Sequence, residues 1–152
     1  MRVLFVDAYA ACKGPIAEAL FRRYADPKHK VFSVGLAGIV KEGDNVPALV
    51  CRVMEQIDIN MEPYYSRPFK PELLKGLDLA VSLLGPTELW KPEDLARKRL
   101  LANGAEEKQY RLTSYELPGD KSLPVAHVTA VRDRLNHYVR QLTSFCGLER
   151  NA

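Results

Sequence analysis

Short apolar runs and longer amphipathic stretches alternate along this chain. Val3–Val6 is continuously apolar, the mark of a strand buried on both faces. Ile16, Ala19, Leu20 and Tyr24 follow at helical spacing, with Pro15 as the opening residue and Asp26–Pro27 as the stop. Val31–Val34 reads as a second strand, closed by a turn around Gly35 and Gly38. Pro47 opens a second helix whose apolar side is Leu49, Val50, Val53, Met54 and Ile57.

After a loop at Ser66–Arg67–Pro68 come a short helix over Pro71–Lys75 and a third strand over Leu77–Leu83, with Asp78 at its mouth. A helix is expected from Thr87 to about Leu101, ended by Asn103–Gly104, and a weaker strand over Tyr110–Thr113. The final helix has the clearest stripe: Val128, Val131, Leu135, Tyr138, Val139, Leu142 and Phe145, with Gly147 as terminator. Strands alternating with helices imply βαβ crossovers and a parallel sheet with helices on both faces. Such sheets bind ligands at the carboxyl ends of their strands. The carboxyl end of the first strand is Asp7.

Composition narrows the function classes. The 152 residues, with no internal repeat or linker, are expected to form one domain over residues 1–152. A net charge of +3 is too small to argue for nucleic acid or an anionic membrane. Arg97–Lys98–Arg99 is balanced by Glu93 and Asp94, as on a solvated helix face. No apolar run reaches the ~20 residues of a membrane span. Three well-separated cysteines, Cys12, Cys51 and Cys146, suggest neither a disulfide framework nor a metal site. With no signal-peptide pattern at the N-terminus, a cytoplasmic location is expected. His29, His127 and His137 share no ligand spacing and are expected at the surface.

The stretch VLFVDAYAACKGPIAEALF, residues 3–21, carries the candidate chemistry. A strand, a tight loop and a proline-started helix normally present backbone N–H groups to an anion. This stretch resembles the low-molecular-weight protein tyrosine phosphatases and related arsenate reductases, whose members read roughly VLFVCxGNxCRSPIAEALF. SVGLAGIV (33–40), INMEPYYSR (59–67), LDLAVSL (77–83) and ELPGD (116–120) are similar to further family segments, and VTAVRDRLNHYVRQL falls on the final helix. The resemblance implies a three-layer, Rossmann-like α/β sandwich. Its four-stranded parallel sheet has the order 2-1-3-4, with helices on both faces.

The resemblance implies a phosphate loop over Asp7, Ala8, Tyr9, Ala10, Ala11, Cys12, Lys13 and Gly14. Its chemistry is altered at each working position. The nucleophilic cysteine aligns with Asp7, the phosphate-gripping arginine with Lys13 and the supporting Ser or Thr with Gly14. The Gly-Asn pair aligns with Tyr9–Ala10 and the general-acid aspartate with Gly119. Lysine cannot give the bidentate hydrogen bonds of arginine, and Tyr9 and Ala10 do not readily take positive φ. Asp7 and Lys13 are therefore expected to pair across the cradle. Ser66 and Arg67 are expected to support the loop, with Tyr64 where the family often has histidine. Cys12 is expected as a buried small hydrophobe, Cys51 and Cys146 as structural.

The function expected is that of a catalytically inactive, phosphatase-like binding or regulatory domain. It would need no cofactor or metal and act on a protein or peptide partner, or a small anion, at the degenerate loop. It would be a monomer or weak homodimer. The alternative is an active phosphate-monoester hydrolase using Asp7, with Glu116 or Asp120 as a displaced acid. VLFVD also suggests the haloacid-dehalogenase-like phosphatases, but these need a second aspartate where Tyr9 stands. Tyr9, Trp90, Tyr115 and Leu117 are candidates for an apolar rim.

Overall fold

A computed structural model describes residues 1–7, 12–36, 40–83, 111–114 and 125–150. The central strand β1, Arg2–Asp7, lies between β2, Lys30–Gly35, and β3, Leu79–Ser82, both parallel to it. The backbone of β4, Arg111–Ser114, runs parallel to β3, giving the order β2-β1-β3-β4. Asp78 precedes β3 and accepts the Arg2 N–H at 2.7 Å. It therefore lies at the amino edge of the sheet, the opposite end from Asp7.

The strand period of two divides the core. Val3, Phe5, Val31, Leu79 and Val81 join one cluster with α1 (Lys13–Tyr24), α2 (Ala48–Glu55) and α3 (Val125–Phe145). Leu4, Val6, Val34 and Ala80 point the other way, against Leu36, Leu74 and Leu77, with Phe32, Phe69 and Leu73 at the margin. Among the described residues all three α-helices pack on the first face. The second is covered by a 3₁₀ turn at Pro71–Leu74 and its flanks. The helix expected over 87–101, and its Asn103–Gly104 end, lie outside the described residues.

Two elements begin or pack differently from the pattern reading. Helix α1 starts at Lys13, two residues before Pro15. Proline is tolerated there because the N–H groups of the first turn have no intrahelical partner. In α3 the buried residues are Val128, Val131, Arg132, Leu135, Val139 and Thr143, whereas Phe145 is 86% exposed. A stripe at 3.6 residues per turn drifts off a strict three-and-four count, so Thr143 arrives at the core and Phe145 leaves it. Arg132 is accommodated by donating from Nη1 to the Val53 carbonyl and to Gln56 Oε1, at 2.8 and 2.9 Å. Gly147, at φ 68°, ends the helix as expected.

Candidate functional site

β1 delivers Asp7 to the carboxyl end of the sheet, directly before the N-terminus of α1. The N-cap residue, Cys12, makes no side-chain capping bond. Asp7 performs that task from a distance: its Oδ2 accepts the Gly14 N–H at 3.1 Å. Its Oδ1 lies 3.7 Å from Lys13 Nζ. Asp7 and Lys13 are 1% and 0% exposed, a degree of burial that lysine almost never reaches without a counter-charge. The carboxylate thus faces both a cation and a helix N-terminus, each of which favours negative charge.

Gly14 makes this approach possible. A Cβ at residue 14 would come within 3.2 Å of Ser33 Cβ and 3.4 Å of Asp7 Cβ. α1 therefore lies close against β1 and β2 where the resemblance puts a Ser or Thr. Cys12 is buried in the core cluster, as expected, and Cys51 and Cys146 are half-buried at its margin.

Ser66 and Arg67 act at a neighbouring point. Ser66 is buried; its N–H donates to the Asp44 carbonyl at 2.8 Å, and its carbonyl accepts the Gly43 N–H at 2.9 Å. The Arg67 carbonyl accepts the Gly35 N–H at 2.9 Å, and its guanidinium lies 3.8 Å from Glu18 and 3.1 Å from Tyr65 Oη. Glu18 was legible only as part of the helical scaffold. It is a buried carboxylate on α1, one turn beyond Gly14. Burial raises its pKa above 4.5, opposed by Arg22, Arg67 and a hydrogen bond from the Ser33 backbone. Burial also raises the Tyr64 hydroxyl, with Arg22 acting against it and Glu18 with it. The hint in the sequence was the run of small and apolar residues around Glu18, which left it no exposed face.

Ala8, Tyr9, Ala10 and Ala11 lie outside the described residues. So do Trp90, Tyr115, Glu116, Leu117, Gly119 and Asp120, so the rim and the acid position are not placed. The histidines stand apart from the site. His29 Nδ1 is 2.9 Å from the N-terminal amine, and His137 is exposed. His127, expected at the surface, is half-buried where α3 begins. Among the described residues there is no group of three or more His, Cys, Asp or Glu fit to hold a metal. Nor is any described helix long and apolar enough to cross a membrane.

The structure is similar to several solved ones, all at low identity. The YwlE arginine phosphatase from Geobacillus stearothermophilus superposes with a TM-score of 0.73 at 18% identity, over 96% of this chain and 92% of that one. The tyrosine phosphatase Wzb from Escherichia coli K30, in complex with sulphate, gives 0.74 at 21%, over 96% and 98%. An arsenate reductase in the phosphate-binding state gives 0.65 at 19%, over 95% and 97%. No curated protein sequence matches. The family model for low molecular weight phosphotyrosine protein phosphatase matches residues 2–147, so the chain belongs to that family.

Proposed function

We propose that this family member does not turn over phosphate monoesters and serves as a binding or regulatory domain. One observation carries the reading: Asp7 takes the Gly14 N–H and faces Lys13, so a built-in carboxylate engages a helix-start donor and the cation that an incoming phosphate would use. A phosphate charge 4 Å from that carboxylate would meet repulsion of about 4 kcal/mol at an effective dielectric near 20. Lys13 is a point charge already facing Asp7. At 1% exposure Asp7 is also poorly placed to attack phosphorus as a nucleophile.

What persists is the scaffold: the central strand, the helix entering on its carboxyl end, and the Arg67–Glu18 brace. That favours recognition over chemistry. The ligand is a protein or peptide partner, or a small anion, met near the degenerate loop. The protein works as a monomer or weak homodimer in the reduced cytoplasm, where three unpatterned thiols are at home.

The test is para-nitrophenyl phosphate hydrolysis, with and without magnesium, beside the Asp7→Asn variant. Background rates throughout are expected. Turnover that disappears in Asp7→Asn would show the carboxylate to be a nucleophile and overturn the reading. A thermal-shift titration with phosphate and vanadate adds a check. No stabilisation at millimolar anion is expected, and clear stabilisation would mean that the donors remain open.

A further inference from the structure

We infer that the outer edge of β2, at the end of the sheet away from Asp7, is a docking site for an extended acidic peptide segment of a partner protein. β2 is the edge strand of the sheet, and edge strands offer unpaired backbone groups to an incoming chain. Lys30 and Leu36 donate their N–H groups inward, to the carbonyls of Met1 and Asp7. Alternation then turns the backbone groups of Val31, Ser33 and Gly35 outward.

This protein closes most of that edge itself. Gly35 bridges in parallel to Pro68, donating to the Arg67 carbonyl and accepting from the Phe69 N–H. The Ser33 backbone is turned toward the Glu18 carboxylate, whose charged form it favours. Val31 is left with no backbone partner among the described residues, and it lines a cavity of about 300 Å³. That volume stands at the lower end of the ~300–1,000 Å³ usual for ligand sites.

The cavity's chemistry selects the occupant. Phe21, Pro27 and Phe32 give it apolar surface, while Arg22, Lys30 and Arg150 line it with three cations against the carboxylate of Asp26, Arg22 also lying 4.0 Å from Glu18. Lys30 is exposed, and Arg150 is fixed by donating from Nη2 to the Arg22 carbonyl at 2.7 Å. A strand laid beside Val31 would exchange N–H and C=O bonds with it, continuing the parallel pairing that the Arg67–Phe69 segment already makes with Gly35. Acidic side chains on that strand would meet the three cations. The site rests on residues remote from the Asp7–Lys13 pair, so it stands or falls independently of the phosphatase chemistry.

The probe is acetyl-Glu-Val-Glu-Val-Glu-amide, titrated into the ¹⁵N-labelled full chain and followed by amide NMR. Expected are a shifted and exchange-protected Val31 amide, affinity that falls with added salt, and about tenfold weaker binding to Lys30→Glu. Arg150→Ala should weaken binding in the same direction, a second variant in case the first perturbs folding. Replacing each glutamate of the probe with lysine should abolish binding. An unmoved Val31 amide, or equal binding of the lysine peptide, would overturn the assignment. So would shifts centred on Lys13 and Gly14 in place of Val31.

Discussion

Replacing Asp7 with asparagine keeps the shape of the side chain and removes its charge. An amide oxygen at residue 7 can still accept the Gly14 N–H, so the loss falls on the charge that faces the ammonium. At 3.7 Å and an effective dielectric near 20 that attraction is about 4 kcal/mol. Removing one partner of a buried pair typically costs about 3–5 kcal/mol, so the two routes agree. For a chain of this length that corresponds to a fall in Tm of roughly 8–16 °C. Lys13→Met should cost less, by about 1–2 kcal/mol. The carboxylate it leaves behind keeps a charge-assisted hydrogen bond and a favourable helix N-terminus, whereas Asp7→Asn leaves a buried cation at that same positive end. Urea unfolding of both single variants and the double, at constant m, reads these values. The double variant should cost clearly less than the sum of the singles. Additivity within about 0.5 kcal/mol, or Lys13→Met costing as much as Asp7→Asn, would refute the reasoning.

Three further outcomes follow from the geometry. The pKa of Glu18 is raised, so between 4.5 and its folded value the native state holds a proton that the unfolded chain releases. Wild-type stability relative to Glu18→Gln should therefore decline as pH rises from 4.5 to 7, and a rise would contradict the assignment. Gly14→Ala should be neutral to destabilising by ~2 kcal/mol, because crowding against Ser33 opposes the ~1 kcal/mol helical preference of alanine. In a Ser33→Gly background the same change should become stabilising by thermal denaturation. Phe145→Ser should lie within about 0.5 kcal/mol of wild type, while Leu135→Ala, at a fully buried position, should cost about 2–5 kcal/mol by urea titration.

The legible part of the molecule was what hydrophobic period and proline placement control. Val3–Val6, the apolar side of α2 and the Gly147 terminator all fell where the pattern put them, because burial and backbone sterics act locally. The Asp7–Lys13 contact could be anticipated because the resemblance placed both residues around one loop. Three features were not legible. The partner of buried Glu18, Arg67, comes from 49 positions along, and no local pattern encodes that approach. Arg132 occupies a core position because the carbonyl of Val53 waits for it at the end of α2. Thr143 and Phe145 exchange places because a three-and-four count is only an approximation to the helical repeat. Each turns on a partner distant in sequence, or on a phase error that grows along a long helix.

The contact of Gly14 with Ser33 fixes the order in which this loop could be rebuilt. Restoring the hydroxyl-bearing residue at 14 drives its Cβ against β2 before any benefit at position 7 can be felt. Ser33 then has to give by a few tenths of an ångström, and Asp7, the costlier of the pair to lose alone, changes most cheaply together with Lys13. A cysteine and arginine at positions 7 and 13 of this scaffold would therefore call for concerted changes. The Gly14–Ser33 contact and the Asp7–Lys13 pair thus hold the start of α1 by steric and electrostatic means at once.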